Sequence, residues 1–236
     1  MLDLGLLTLG DTGWGDELLR GLVTTVALAV LSYLFGIGLG LLGAFGKLSS
    51  RRSIRVLVES YTTLVRGIPT LVLVFIIFFG LEALIGSALD AFGYTGQVFL
   101  DAFTMGVIAI GLLSGAYSTE AIRGALVAIP PGQIEAAKAF GMPPMLVFRR
   151  VTLPQLLRIA LPSLGNVWQL TLKDTSLISV MGLTDLMRQA FVAGNSTREP
   201  FTFFLAAALL YLVVSAVTNR LFDWAERHYS RGTRRA

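Results

Sequence analysis

Apolar residues are gathered along this chain into five blocks, and charge is concentrated between them. Residues 21–46 contain no charge. As a helix at ~1.5 Å per residue they span about 39 Å, more than the ~30 Å hydrocarbon core of a bilayer. Residues 67–81 are also uncharged, and the block reaches residue 89 if Glu82 is included. Residues 102–119, 159–172 and 201–219 complete the set. The pattern predicts membrane-spanning helices over about 21–46, 62–86, 102–125, 157–178 and 201–222, an all-α integral membrane protein with five transmembrane helices. Polar residues crowd the margins of the second and fourth blocks, and Lys173–Asp174 fall near or inside the far end of the fourth.

Composition agrees with that reading. The 236 residues are 54% hydrophobic and 14% charged, against roughly 25% charged in an average soluble domain, and mean hydropathy is +0.72. A water-soluble globule of this size has no means of hiding so much apolar surface. Cysteine is absent, which excludes a disulfide scaffold and thiolate chemistry. The single histidine, His228, lies in a charged tail, so neither a catalytic centre nor a metal site is predicted. The first block is too long for a secretory signal, and the residues before it (Asp3, Asp11, Asp16 and Glu17 against Arg20) are acidic where a signal is basic.

The net charge of +4 means little until it is divided among the connecting segments. From the N-terminus these carry −3, +4, −3, +3, 0 and +3, and their Lys and Arg residues number 1, 5, 0, 5, 3 and 5. By the positive-inside rule, the second, fourth and sixth segments are cytoplasmic. The N-terminal segment 1–20 is then periplasmic and the basic tail 224–236 cytoplasmic, with a transmembrane domain over 21–223. The arginines of the first loop and the tail serve as topology determinants and contacts for anionic lipid. The charge calls for no nucleic-acid partner.

The cytoplasmic loop 128–155 has its own helix grammar. Pro130–Pro131 suits a helix start, Glu135 and Lys138 follow in the order that the helix dipole favours, and Gly141 is a natural stop. Pro143–Pro144 forces a new start, so a second short helix is expected over 145–151, ending near Pro154. Two short helices meeting at a bend at Gly141 would present Ile134, Ala137, Phe140, Met145, Val147 and Phe148 to a partner groove.

Glu135-Ala136-Ala137, Gly141 and Val151-Thr152-Leu153-Pro154 resemble the EAA loop of ABC importer permeases at every fixed position of that pattern. Arg66-Gly67-Ile68-Pro69, the stretch from Gly115 to Gly124 and the stretch from Lys173 to Ser179 are similar to the polar amino acid permeases. Glu199-Pro200-Phe201 and the Arg-rich end resemble the Q-type subunit of histidine, lysine/arginine/ornithine and octopine/nopaline importers. The resemblance implies a type I, MetI-like permease fold and a role in bacterial inner-membrane import of a polar, basic amino acid or opine. It implies pairing with a second homologous permease as a heterodimer, with two copies of a cytoplasmic ATPase and with a periplasmic binding protein. Glu135, Ala136, Ala137, Phe140, Gly141, Leu153 and Pro154 would be the ATPase-coupling residues. The chain has no phosphate-binding loop. No cofactor is expected in it, ATP and Mg belonging to the partner ATPase, and it is not itself an enzyme.

A translocation path is sought among polar residues inside the spans. Asn166, Gln169, Lys173 and Ser176 share one helical face, and a polar stripe is expensive against lipid. They are candidate path residues, with interhelical hydrogen bonding as the other reading. Asp174 either neutralises Lys173 or faces the cavity, and Ser114 and Tyr117 would form the opposite wall. Glu120 and Arg123, one turn apart, are either a local ion pair or a gate for a cationic substrate. Ser32, Gly36, Gly40 and Ala44 form a small-residue stripe suited to close helix packing. The alternative function is a secondary carrier with Glu120 or Asp174 as a proton relay. No internal repeat supports it.

Overall fold

The computed structural model describes residues 4–10, 13–91, 93 and 101–230, and over these it is helical. The predicted tail therefore lies partly outside the described residues, as do parts of the segment 1–20 and of the loop before Asp101. A short 3-10 turn, Leu4–Leu7, precedes α1, Gly15–Lys47. Asp16 and Glu17 sit in the first turn of α1 and Lys47 in its last, each at the end of the helix dipole that favours its charge. At about 50 Å, α1 runs the whole depth of the bundle.

The centre of the fold is α4, Ala102–Val127. It starts on a genuine cap: the Asp101 carboxylate accepts the backbone N–H groups of Phe103 and Thr104, both at 3.0 Å. These bonds and the Thr104 hydroxyl hold the Asp101 carboxyl below its ordinary pKa. α1 lies along α4 through the small-residue stripe, with Ser32, Gly36, Gly40, Gly43 and Ala44 all buried. A Cβ added at Gly36 would come within 2.6 Å of the Ser114 Cβ, and one at Gly40 within 2.5 Å of the Ser118 Cβ. The stripe thus works inside this subunit, as a seam that only glycine lets close this far.

The stretch 62–86, expected to be one span, is two helices: α2, Arg52–Gly67, and α3, Thr70–Ala91. Pro69 is the cause. The ring excludes the helical region for the residue before it, and Ile68 is extended at φ −102°, ψ 141°. Four described helices are long and apolar enough to cross a membrane: α1, α3, α4 and α9, Pro200–Tyr229. The expected fourth span, 157–178, differs in two ways. Its α-helix, α7, is Leu153–Asp174, and a 3-10 turn, Thr175–Met181, finishes it before Gly182 in the left-handed region at φ 90°. It carries Arg158, Asn166, Gln169, Lys173 and Asp174, so it is not among those four. It is nonetheless internal, packed on α1, α4 and α9. α8, Leu186–Thr197, then crosses the Leu18 end of α1.

Burial is organised along the α1 axis. Leu18, Leu186, Ala190 and Phe203 close one end of the bundle. Leu28, Ile110, Leu113 and Ile178, and beside them Tyr33, Val167, Trp168 and Leu172, fill the middle. Ala44, Ile122, Ala125, Leu156, Ala160 and Leu164 close the other end.

The 128–155 loop leaves from that last cluster. α5, Pro131–Ala139, starts on Pro131; Gly141 turns the chain at φ +75°; and α6, Pro144–Val147, restarts on the second proline pair. The expected stop near Pro154 is not there. Phe148–Thr152 forms a π turn, and backbone dihedrals stay right-handed helical through Leu153 into α7. Within the π turn the Leu153 N–H donates to the Phe148 carbonyl, so the hydrogen-bond register changes where Pro154 has no donor to offer.

Candidate functional site

Three regions hold the residues picked out from the sequence. The first is the bend between α5 and α6. Ile129 and Ile134 pack into the cluster that joins α1, α4 and α7, and Ala137 and Val147 are buried beneath the bend. Glu135, Ala136 and Gly141 are exposed. Phe140 is 86% exposed and Met145 75%. Leu153 is half-buried and Pro154 exposed, at the point where the loop becomes α7. Two large apolar side chains on a bend rooted in the core are an apolar surface on a stiff mount.

The second region is a knot of charge at the same end of the bundle. Glu120 on α4 was paired from the sequence with Arg123, and the Arg123 Nε does donate to its Oε2 at 3.0 Å. Two further cations arrive from distant parts of the chain. Lys47, at the end of α1, donates to Oε1 of Glu120, and its side chain is 7% exposed. Arg66, in the last turn of α2, brings its Nη1 to 3.9 Å of the same oxygen. Glu59, also on α2, lies 3.8 Å from Lys47. Three helices are therefore tied through one carboxylate. Arg66 also lies over the ring of Tyr117, 5.7 Å from its centroid, a cation–π arrangement.

The third region is the candidate path on α7. Ser114 is buried against α7, accepting from the Thr171 hydroxyl at 3.1 Å. Gln169 turns to α9 and donates to Asn219 Oδ1 at 2.8 Å and to Thr218 at 3.2 Å, which is the interhelical arrangement. Asn166 and Lys173 are exposed. Asp174 is half-buried with no ion pair among the described residues, Lys173 included. Lys173 and Ser176, with Tyr211 and Ser215 of α9, line a pocket of about 550 Å³. Tyr117 packs beside Val167 and Leu172, between the charge knot and α7.

Sequence reasoning missed Lys47 and Arg66 as site residues. The signal for Arg66 was present: inside an expected 62–86 span it is an intramembrane charge, which demands a partner. It also missed that α2 is amphipathic, with Arg52, Arg55, Glu59, Thr63 and Arg66 on one exposed face.

Comparison with known proteins gives the family. Residues 36–231 match the family model for the binding-protein-dependent transport system inner membrane component. The chain is 52% identical to the nopaline transport system permease protein of Agrobacterium fabrum, over 99% of both chains. It is 44% identical to the histidine/lysine/arginine/ornithine transport system permease protein of Escherichia coli, over 95% of this chain and 98% of that one. Among solved structures, an amino acid ABC transporter crystallised with histidines superposes with a TM-score of 0.76 at 34% identity, covering 91% of this chain and 95% of that one. A methionine ABC transporter in an inward-facing conformation gives a TM-score of 0.72 at 19% identity, over 92% and 98%, a likeness of fold. With the family model covering most of its length and the relatives nearly all of it, this chain belongs to the binding-protein-dependent inner membrane components, the permease part of an ABC importer and not its ATPase.

Proposed function

We propose that the chain is one of two homologous permease subunits through which a basic amino acid or a related opine crosses the bacterial inner membrane. Relatives at 43–52% identity are named for transport of nopaline, octopine and histidine, lysine, arginine and ornithine, and near-complete coverage at this identity favours the same substrate class here. Membership of a binding-protein-dependent system implies an ATPase and a binding protein as partners. Two ATPase copies and a heterodimeric permease pair are the assembly this reading adopts.

α7, internal although interrupted by polar residues, serves as a fifth crossing beside α1, α3, α4 and α9. The Lys/Arg distribution puts the 128–155 loop in the cytoplasm and the N-terminus outside. A reporter fused after Ser49 should then be cytoplasmic and one after Gly96 periplasmic, and the reverse would overturn the orientation.

The observation that carries the coupling role is the bend itself. Phe140 and Met145 are exposed, while Ile129 and Ile134 root the same loop among Ile122, Ala125 and Leu156. A push on the exposed face has a stiff route into α4 and α7, the helices that carry Ser114, Tyr117, Glu120, Asn166, Gln169, Lys173 and Asp174. The family argues against the carrier reading, because energy enters through the partner ATPase rather than a proton relay. The test is ATP hydrolysis by the assembled transporter in lipid nanodiscs, stimulated by the cognate binding protein loaded in turn with arginine, histidine, nopaline and glutamine. Stimulation by the basic ligands or the opine supports the substrate class, and stimulation by glutamine alone refutes it.

A further inference from the structure

We propose that Arg66, stacked on Tyr117, is the group in this permease that receives the carboxylate of the transported amino acid or opine. The proposal rests on the substrate reading above and adds the residue that reads the ligand's anionic end.

The charge knot is not balanced. Among the described residues, Lys47, Arg66 and Arg123 pair only with Glu120 and Glu59, so one positive charge is in excess. Geometry says where it resides. Lys47 holds Oε1 of Glu120 and is almost wholly buried; Arg123 holds Oε2. Both oxygens of Glu120 are committed, and the carboxylate is poorly placed to take a cationic ligand. Arg66 at 3.9 Å is beyond hydrogen-bonding distance. Among the described residues, its charged contacts are that 3.9 Å approach to Glu120 and the Tyr117 ring, so a guanidinium with five donors is left largely uncommitted. Its side chain is 46% exposed.

An arginine this open is expensive against lipid. Its neighbours Val65 and Ile68 pack on the mid-bundle cluster of Leu28, Ile110 and Leu113, so Arg66 stands on the mid-bundle side of the charge knot. The guanidinium lies over the Tyr117 ring, 5.7 Å from its centroid, and a guanidinium takes anions along its edge. That edge is the fork that matches a carboxylate with two parallel hydrogen bonds. There is also room for a ligand. Nothing lies within 4 Å of where a Gly67 Cβ would be, and Thr63, one turn back on the same exposed face, offers a hydroxyl. Lys173, an exposed cation near the end of α7, offers a point charge and no planar fork.

The test measures direct ligand binding to the purified permease–ATPase complex without the binding protein, so that only sites on the complex are read. The probes are arginine and agmatine, which is arginine without its carboxylate. The wild-type complex should prefer arginine. Arg66→Gln should weaken arginine about tenfold to a hundredfold, the range for losing a charged hydrogen-bonding partner, and leave agmatine unchanged. Arg66→Lys, which keeps charge but loses the fork, should fall between, and an unaltered unfolding midpoint shows that the variants are folded. If Arg66→Gln retains the preference for arginine, or weakens both probes alike, the assignment to Arg66 is wrong while the substrate reading stands. If Arg66→Gln instead separates the two permease subunits with ligand preference intact, Arg66 pairs across that interface and the proposal fails. If the wild-type complex binds neither probe, nor nopaline, the substrate reading itself fails and the proposal with it.

Discussion

The seam between α1 and α4 makes a quantitative prediction at Gly40. A Cβ there would sit 2.5 Å from the Ser118 Cβ, 3.0 Å from the Ser118 carbonyl carbon and 3.1 Å from the Thr119 nitrogen. Carbon atoms rest at about 3.5–4.0 Å, so the helices must part locally by about 1 Å. No rotamer change relieves a clash with backbone. Overpacking of this kind costs about 1–3 kcal/mol. Alanine also gains up to ~1 kcal/mol over glycine in a helix, so the control is Gly38→Ala, on the open side of α1, where an added Cβ meets nothing within 4 Å. The difference between Gly40→Ala and Gly38→Ala isolates the packing term, about 1–3 kcal/mol. At about 2–4 °C per kcal/mol for a chain of this size, it appears as a lower unfolding midpoint in nanodiscs. Adding Ser118→Gly to Gly40→Ala should recover part of the loss, because the side-chain clash goes and the backbone contacts stay. Equal midpoints for the two alanine variants would refute the claim that α1 and α4 touch through this stripe.

Glu120→Gln should destabilise by less than the about 3–5 kcal/mol of a fully broken buried pair, because buried Lys47 loses its hydrogen-bonded carboxylate and keeps only Glu59 at 3.8 Å, and Lys47→Met in the same chain should restore part of it, read as a double-mutant cycle of unfolding midpoints. Gly141→Val should cost about 1–2 kcal/mol of strain at a positive φ and reduce both ATPase co-purification and stimulated hydrolysis, whereas Gly141→Asn should be tolerated; full coupling in the valine variant would refute the role of the bend. Burial pushes the Asp185 carboxyl, which caps α8 through the Arg188 N–H, up to about 6. The folded state therefore binds the proton more tightly than the unfolded chain, whose aspartate titrates near ~3.9. Stability from this group is full below the unfolded value and is lost as pH rises through about 6, so the unfolding midpoint should fall from pH 5 to pH 7 and the fall should flatten in Asp185→Asn.

The parts legible in the sequence were those encoded locally. Residues 102–119 are uncharged and follow Asp101, so the start of α4 was legible while its end, Val127, lies beyond the charged turn of Glu120 and Arg123, and the proline pairs with Gly141 outlined the loop. Hydropathy failed at 62–86 because it averages over Pro69, whose effect is on the dihedrals of Ile68, and over the polar face of α2. It failed again at Pro154, where a π turn absorbed the break expected of a proline. In the candidate site, Glu120 and Arg123 were visible because one helical turn separates them. Lys47 is 73 residues from Glu120, and only the folding of α1 against α4 brings them together. Gln169 was identified as polar on an apolar helix, but whether it served a cavity or a neighbour depended on where α9 presents Thr218 and Asn219.

The central claim is ATP-driven import through this subunit, and the most direct measurement is uptake of labelled arginine, or nopaline, into proteoliposomes. The vesicles hold this chain, its partner permease and the ATPase, with ATP on the side that bears the 128–155 loop and the binding protein on the other. Uptake that requires ATP and the binding protein, and that persists when the proton gradient is collapsed, is the predicted result. Uptake driven by a proton gradient without ATP would contradict the account and return Glu120 or Asp174 to the role of a proton relay.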